Sequence, residues 1–275
     1  MANLQNFFMT GCASGIGRHV TDLLTKAGHS VFATDIDIEA LGNYAQQQGW
    51  PSDRVKIRKL DVRSPEEWEG AFGEAISAFG HIDVSMNVPG VMRAYWIDET
   101  PVEDVHLQLD INVKGVIFGT QTAARHMIER REGHIVNIGS LTGVAPVPGM
   151  SVYSGSKYAV RGFSLSAGLE LRRHGVYVTV VCPDAVDTPL LDIPHIYDEE
   201  AALAFAGPRV LAVEEVGREI VNSVLPNKPE IFCIPRSRGR LARFAESFPS
   251  LMNLISPLAV KKGRAEQERR KNAAS

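Results

Sequence analysis

The chain has 275 residues, 44% hydrophobic and 22% charged, and a formal net charge of −3. That is enough for one large α/β domain or two small ones with a substantial core, and the charge gives no reason to expect nucleic acid. Cys12, Cys182 and Cys233 are too few and too far apart for a disulfide framework or metal cluster, which fits a reducing cytoplasm. The N-terminus lacks a basic signal region and no window reaches the ~18 apolar residues of a spanning helix, so a soluble, cytoplasmic protein is expected.

In chain order, short β-branched or apolar runs fall at 7–10, 31–35, 55–61, 82–88, 134–140, 176–182 and 230–234. Helical patterns lie between them at about 15–28, 38–48, 65–79, 102–131, 152–174 and 213–224. Pro65 and Pro101 suit first turns, and Gly28, Gly80, Gly133 and Gly175 suit stops. The alternation predicts a Rossmann-type, doubly wound parallel sheet of about seven strands with helices on both faces. No linker or repeat interrupts it before about residue 235, which gives a dinucleotide-binding catalytic domain over 1–235 and a basic amphipathic extension over 236–275.

The first strand runs into Thr10-Gly11-Cys12-Ala13-Ser14-Gly15-Ile16-Gly17 and then a helix. Glycines there let bare backbone approach a ligand, and helix N–H groups at the positive end of a dipole suit a pyrophosphate. Gly11, Ser14, Gly15, Ile16 and Gly17 are therefore expected to bind a cofactor. Asp35 closes the second strand eighteen residues past Gly17, where a carboxylate accepts bonds from ribose hydroxyls and repels a 2′-phosphate. NAD is thus expected over NADP. Asp37 is read as the cap of the next helix, and Arg18 as an exposed helix residue.

The segment Ser151 to His174 places Tyr153 and Lys157 four residues apart, on one helix face. A phenol with an ordinary pKa near ~10 becomes a usable base when a nearby ammonium favours the phenolate. Taken alone, the same spacing fits a solvated helix face, and the rest of the chain must decide.

With these pieces in view, the sequence resembles a classical short-chain dehydrogenase/reductase over roughly residues 5–235. The resemblance rests on Thr10-Gly11-x-x-x-Gly15-x-Gly17, Asp61-Val62, Asn87-Val88-Pro89-Gly90, Asn112, Ser140, Tyr153-x-x-x-Lys157 and Pro183 to Thr188. It implies hydride transfer between a nicotinamide cofactor and a carbinol or carbonyl carbon. Tyr153 would be the general acid/base, and Lys157 would lower its pKa and hold the nicotinamide ribose. Ser140 would bond the substrate oxygen, and Asn112 would position a water linking Lys157 to solvent. Asp61 would meet the adenine amino group, with Val62, Asn87, Gly90, Pro183, Val186 and Thr188 among the cofactor contacts; no metal is implied. The elementary chemistry agrees, since a carbon loses hydride only as its hydroxyl loses a proton, which requires a base and an oxyanion donor.

Two positions depart from the family pattern. Pro89 replaces an alanine and removes an N–H, which loosens adenosine-side contacts, and Asp184 replaces a glycine, bringing a Cβ and a charge near the nicotinamide end. Over the cleft, Tyr95, Trp96, Val144, Val147, Met150, Leu190, Leu191, Ile193 and Ile196 predict an apolar pocket, and Arg93 is read as a surface residue. The expected substrate is a bulky, apolar secondary alcohol or ketone. The alternative is a catalytically silent dinucleotide sensor or scaffold, which would ordinarily have lost Tyr153, Lys157 or Ser140. An enoyl reductase is disfavoured, since that branch spaces its Tyr and Lys more widely.

Small residues Gly155, Ala159, Gly162 and Ala167 predict a close helix partner in a homodimer or homotetramer. Residues 236–275 carry ten Lys or Arg against three Glu (+7), and residues 1–235 nineteen against twenty-nine (−10). Leu241, Phe244, Phe248, Leu251, Ile255 and Leu258 recur at helical spacing, with Pro249 and Pro257 breaking the run. An apolar face folded over the cleft or a neighbouring subunit is expected, ahead of peripheral contact with anionic lipid or a frayed tail.

Overall fold

The computed structural model describes residues 4–191, 201–202, 205–207, 209–248, 258, 260–269 and 271. The strands β1 Asn6–Met9, β2 Ser30–Asp35, β3 Val55–Lys59, β4 Val84–Asn87, β5 Gly133–Ile138, β6 Val176–Pro183 and β7 Ile231–Ile234 form one sheet. Their order is β3-β2-β1-β4-β5-β6-β7, with every neighbouring pair parallel. This is the expected Rossmann-type sheet. Its order reverses between β1 and β4, which opens a crevice at the carboxyl ends of those strands.

The helices are α1 Gly15–Lys26, α2 Ile38–Gln47, α3 Pro65–Phe79, α4 Val102–Leu109, α5 Gly115–Arg130, α6 Ser151–Leu171, α7 Val213–Glu219, α8 Leu225–Asn227 and α9 Arg236–Ser247. β1 shows why its strand lacks a polar face: Phe7 and Met9 join a core with Val20 and Leu24 of α1 and Val216 of α7. Phe8 joins the opposite core with Trp68 and Phe72 of α3 and Met127 of α5. Period-two alternation thus puts apolar side chains into both layers, as a sheet covered on both faces demands.

Local chemistry sets several helix ends. Asp37 caps α2 by accepting from the Ala40 N–H at 3.0 Å, and Ser64 caps α3 by accepting from the Glu67 N–H at 3.1 Å. The helix expected over 102–131 is interrupted by a π-type turn at Asp110–Lys114, and the one at 213–224 by another at Ile220–Val224. Gly133 does not stop α5. The helix ends at Arg131, which takes a left-handed φ of 55°, and Gly133 opens β5 where a Cβ would lie 2.3 Å from the Met127 sulfur. α9 ends ahead of Pro249, and the expected apolar positions Leu251 and Ile255 lie outside the described residues.

His134 of β5 is buried, its Nε2 2.8 Å from the Thr179 hydroxyl, and burial pushes its pKa down to about 3. Between pH 6.5 and 3 the unfolded chain binds a proton here that the native state does not. Stability should therefore be unaffected by this group above about pH 6.5 and fall below it, by about 1.4 kcal/mol per pH unit. Urea unfolding at pH 7, 6 and 5 checks this, and a His134→Gln variant should lose that increment of slope whatever its absolute stability.

Candidate active site

The glycine-rich turn leaves β1 at the crevice. Gly11 and Gly15 have φ of 70° and 51°, a conformation that L side chains rarely adopt. A Cβ at Gly17 would lie 2.0 Å from the Gly11 carbonyl oxygen, so α1 can start this close to the turn only with bare backbone there. Ser14, the N-cap, makes no side-chain capping bond, and the first turn of α1 holds no acidic residue. Its N–H groups and positive dipole end are left for an anion, so a dinucleotide pyrophosphate fits the residues present.

A cavity of about 750 Å³ runs from this turn across the sheet edge. Gly11, Ser14, Gly15, Ile16, Gly17, Asp35, Asp61, Val62, Gly90, Ser140, Tyr153, Lys157, Pro183, Val186 and Thr188 all line it. Asp35 Oδ2 accepts from the Ala13 N–H at 2.8 Å and Oδ1 from the Asp37 N–H at 3.0 Å, so the carboxylate holds the turn to β2 and keeps acceptor sites for further donors. Both Asp61 oxygens are bound by Arg63 at 2.6 to 3.1 Å, and that bond, ahead of nearby charge, holds its carboxyl below the usual range.

Asn87 and Asn112, two expected site residues, are not on the cavity wall. Asn87 is buried under the sheet edge, where its Nδ2 donates to Asn137 Oδ1 at 2.7 Å in space that Gly119 leaves open. Asn112 sits in the π-type turn between α4 and α5. Its Oδ1 accepts from the Val91 N–H at 2.8 Å, and its Nδ2 donates to the Val91 carbonyl at 2.9 Å and to Ser156 Oγ at 3.0 Å. It clamps the strand-exit loop to α6. Ser156, which donates in turn to the Tyr153 carbonyl at 2.7 Å, carried no sequence signal because it reads as one more small residue in the helix.

At the other end, Ser140 follows β5 and Tyr153 and Lys157 lie on the first turns of α6, all facing the cavity. The Lys157 Nζ donates to the Ile138 carbonyl at 3.1 Å and sits 5.7 Å from the Tyr153 ring centroid, with no direct bond to the phenol. The expected lowering of the Tyr153 pKa is not what this environment produces. Burial pushes it up to about 12, against the opposing hydrogen bond from Ser140, and burial pushes Lys157 down to about 8.

The apolar part of the wall includes Met92, Val147, Met150, Leu190 and Leu191. Val144 is buried in the core beneath, and neither Tyr95 nor Trp96 reaches the cavity; Ile193 and Ile196 lie outside the described residues. α9 adds Arg238, Leu241, Ala242, Phe244 and Ala245 to the wall, and Arg93, expected at the surface, also lines it, with its Nε 3.3 Å from Asp104 Oδ1. Arg238 Nε donates to Asp184 Oδ2 at 2.8 Å, while Asp184 Oδ1 accepts from the Ala185 N–H at 3.0 Å. The Asp184 charge is thus neutralised by a residue of α9. Arg161 of α6 pairs with Glu246 at 3.0 Å and fastens the other end of α9.

A parallel sheet with a glycine turn at its switch point, and one cavity joining that turn to a buried Tyr, Lys and Ser, defines the class as a dinucleotide-dependent oxidoreductase. A family model described as short chain dehydrogenase matches residues 5–193, and the chain belongs to that family. An uncharacterised oxidoreductase of Staphylococcus saprophyticus is 33% identical over 196 residues, covering 70% of this chain and 77% of the relative. One from Staphylococcus epidermidis is 31% identical over 184 residues, covering 67% and 79%. Among solved structures, a short-chain dehydrogenase/reductase from Burkholderia phymatum in complex with NAD has a TM-score of 0.81 at 22% identity, over 91% of this chain and 95% of that one. ElxO with NADP bound has a TM-score of 0.75 at 23% identity, over 84% and 97%. These structural likenesses carry the fold.

Removing the guanidinium in Arg238→Ala would leave the largely buried Asp184 carboxylate without its cation. A loss of about 2 kcal/mol is expected. The Asp184→Ala/Arg238→Ala double variant should lose less than the two single variants summed, which a double-mutant cycle in urea measures.

Proposed function

We propose that the protein moves hydride between NAD and a bulky, apolar secondary alcohol or its ketone. The observation that carries the reading is the joining of three features in one cavity: the glycine cradle, the Tyr153, Ser140 and Lys157 group, and a largely apolar wall whose two arginines, Arg93 and Arg238, are paired with Asp104 and Asp184. A bound nicotinamide dinucleotide would supply or accept the hydride. The chain's own residues handle the proton and the oxygen. Ser140 holds the substrate oxygen and Tyr153 gives or takes its proton, so charge that develops on that oxygen meets two hydroxyl donors in a water-poor site. A phenol held near 12 is protonated at neutral pH and serves as a donor toward a ketone. The reverse direction requires a phenolate, which the nearby Lys157 ammonium stabilises where bulk water cannot.

At the adenosine end, Asp35 retains acceptor capacity for ribose hydroxyls, and its charge opposes a 2′-phosphate; NAD preference rests on this. The outward face of α6 carries exposed Gly155, Ala159 and Gly162, and the space beside both glycines is open. A homodimer or homotetramer packed through this helix follows, although Ala167, expected on the same face, is turned inward and buried. The three buried free cysteines accord with a reducing cytoplasm.

Incubating the protein with NAD and a panel of terpenoid, steroid, aryl and aliphatic secondary alcohols, while following absorbance of the reduced cofactor, tests the activity. Tyr153→Phe should reduce turnover by about 10²- to 10⁴-fold with NAD affinity nearly unchanged. Residual activity within tenfold of wild type would remove the proton-transfer role. Asp35→Ala should relax cofactor choice, raising kcat/KM with NADP relative to NAD. A wild-type protein that already prefers NADP would contradict the assignment.

A further inference from the structure

The solvent face of α9 has an unusual composition. Leu241, Phe244 and Phe248 are 56%, 55% and 52% exposed, with the two phenylalanine rings 5.0 Å apart. Arg236, Arg240 and Arg243 are exposed around them, with the Arg236 guanidinium 4.7 Å from the Phe232 ring centroid and Arg243 reaching the Cys233 thiol. The ion pairs of α9, Arg238 with Asp184 and Glu246 with Arg161, point to the sheet domain, and Arg240 and Arg243 have no carboxylate partner among the described residues. Water is a poor solvent for large apolar side chains set side by side, so a patch of this kind marks an interaction surface. It also ends at the active site, because Leu241 and Phe244 line the cavity.

We propose that this face docks on an anionic lipid surface, with the cavity mouth turned toward the bilayer so that an apolar alcohol or ketone enters from the lipid. The delivery of substrate rests on the dehydrogenase reading; the docking surface does not. Charge selects the occupant. Residues 236–275 carry a net +7 against −10 for the remainder, and Lys261, Lys262 and Arg264 in the following helical stretch are exposed as well. A second copy docked through the same face would set arginine against arginine, since a two-fold interface pairs a patch with itself. An anionic bilayer suits both parts of the face. The guanidiniums sit among headgroups while the leucine and phenylalanines reach the acyl boundary.

The test is co-sedimentation of the full chain, at physiological salt, with phosphatidylcholine vesicles made with and without phosphatidylserine. Binding to the anionic vesicles is expected, at least about tenfold tighter than to the neutral ones, since each basic residue near such a surface strengthens binding by about fivefold. Arg240→Glu/Phe248→Glu changes two residues that do not line the cavity. This variant should bind anionic vesicles at least about tenfold more weakly and turn over a vesicle-borne alcohol more slowly, with unchanged activity on a water-soluble one. The proposal is overturned if the wild type stays in the supernatant, if it binds both vesicle types equally, or if the variant binds as the wild type does. A drop in mass of the variant by light scattering would assign the face to contact between copies and overturn it too. Vesicle binding by a protein inactive on every alcohol tested would uphold the docking surface and refute the dehydrogenase reading instead.

Discussion

A Cβ on Gly17 would lie 2.0 Å from the Gly11 carbonyl oxygen, and this contact limits how α1 can leave the sheet. Because backbone meets backbone there, the helix begins six residues past the carboxyl end of β1, at the point where the strand order reverses. The consequence is electrostatic as much as steric. With Ser14 making no capping bond and no acid in the first turn, the unpaired N–H groups of α1 present positive potential to the cavity. Asp35 then ties the turn to β2 through the Ala13 N–H, so the carboxylate that would select the ribose also holds the cradle in shape.

The opposite end of the cavity is held by buried polar bonds under the sheet edge. Asn137 of β5 accepts from Asn87 of β4 and donates to Ser164 of α6 at 2.9 Å, which in turn donates to the Val160 carbonyl at 2.7 Å. Asn112 adds a second tie, from the π-type turn to Val91 and Ser156. Two successive strands and the helix that carries Tyr153 and Lys157 are thereby fixed to one another by hydrogen bonds with strict geometry. Leucine side chains in the same places could slide. Bonds of this kind hold the elements in register, as a site whose proton transfer depends on placement to a fraction of an ångström requires.

Most of the sheet was legible because its strands are short apolar runs closed by a turn signal, with no polar face to blur the pattern; the edge strand β3 alternates apolar residues with exposed Lys56 and Lys59 instead. The glycine turn and the Tyr and Lys pair were legible because their chemistry is local, held within a few residues of chain. What was not legible depends on distance or on direction. The sequence DINVK contains no proline or glycine to announce a π-type turn before Gly115, and nothing in it shows that Asn112 turns from the cavity toward Val91. Asn87 stands in a motif that implies a ligand, yet its side chain follows the space left by Gly119, a residue 32 positions further on. The Tyr153 pKa failed for a related reason: spacing gives proximity to Lys157, whereas burial, which dominates here, is a property of the whole fold.

Asp184 and the C-terminal extension, read separately, are two oddities, and the structure makes them one device. A carboxylate in this largely buried place needs a cation within bonding distance, and Arg238 arrives from 54 residues away to supply it. Bringing Arg238 to Asp184 brings the rest of α9 with it, so that Leu241 and Phe244 become cavity wall and the outward face of the helix becomes the rim. The pair is close to neutral when formed. A glycine at position 184 would allow closer backbone approach to a cofactor but would give α9 no such anchor. The aspartate thus anchors α9, and what the helix adds is an apolar entrance built from a basic segment.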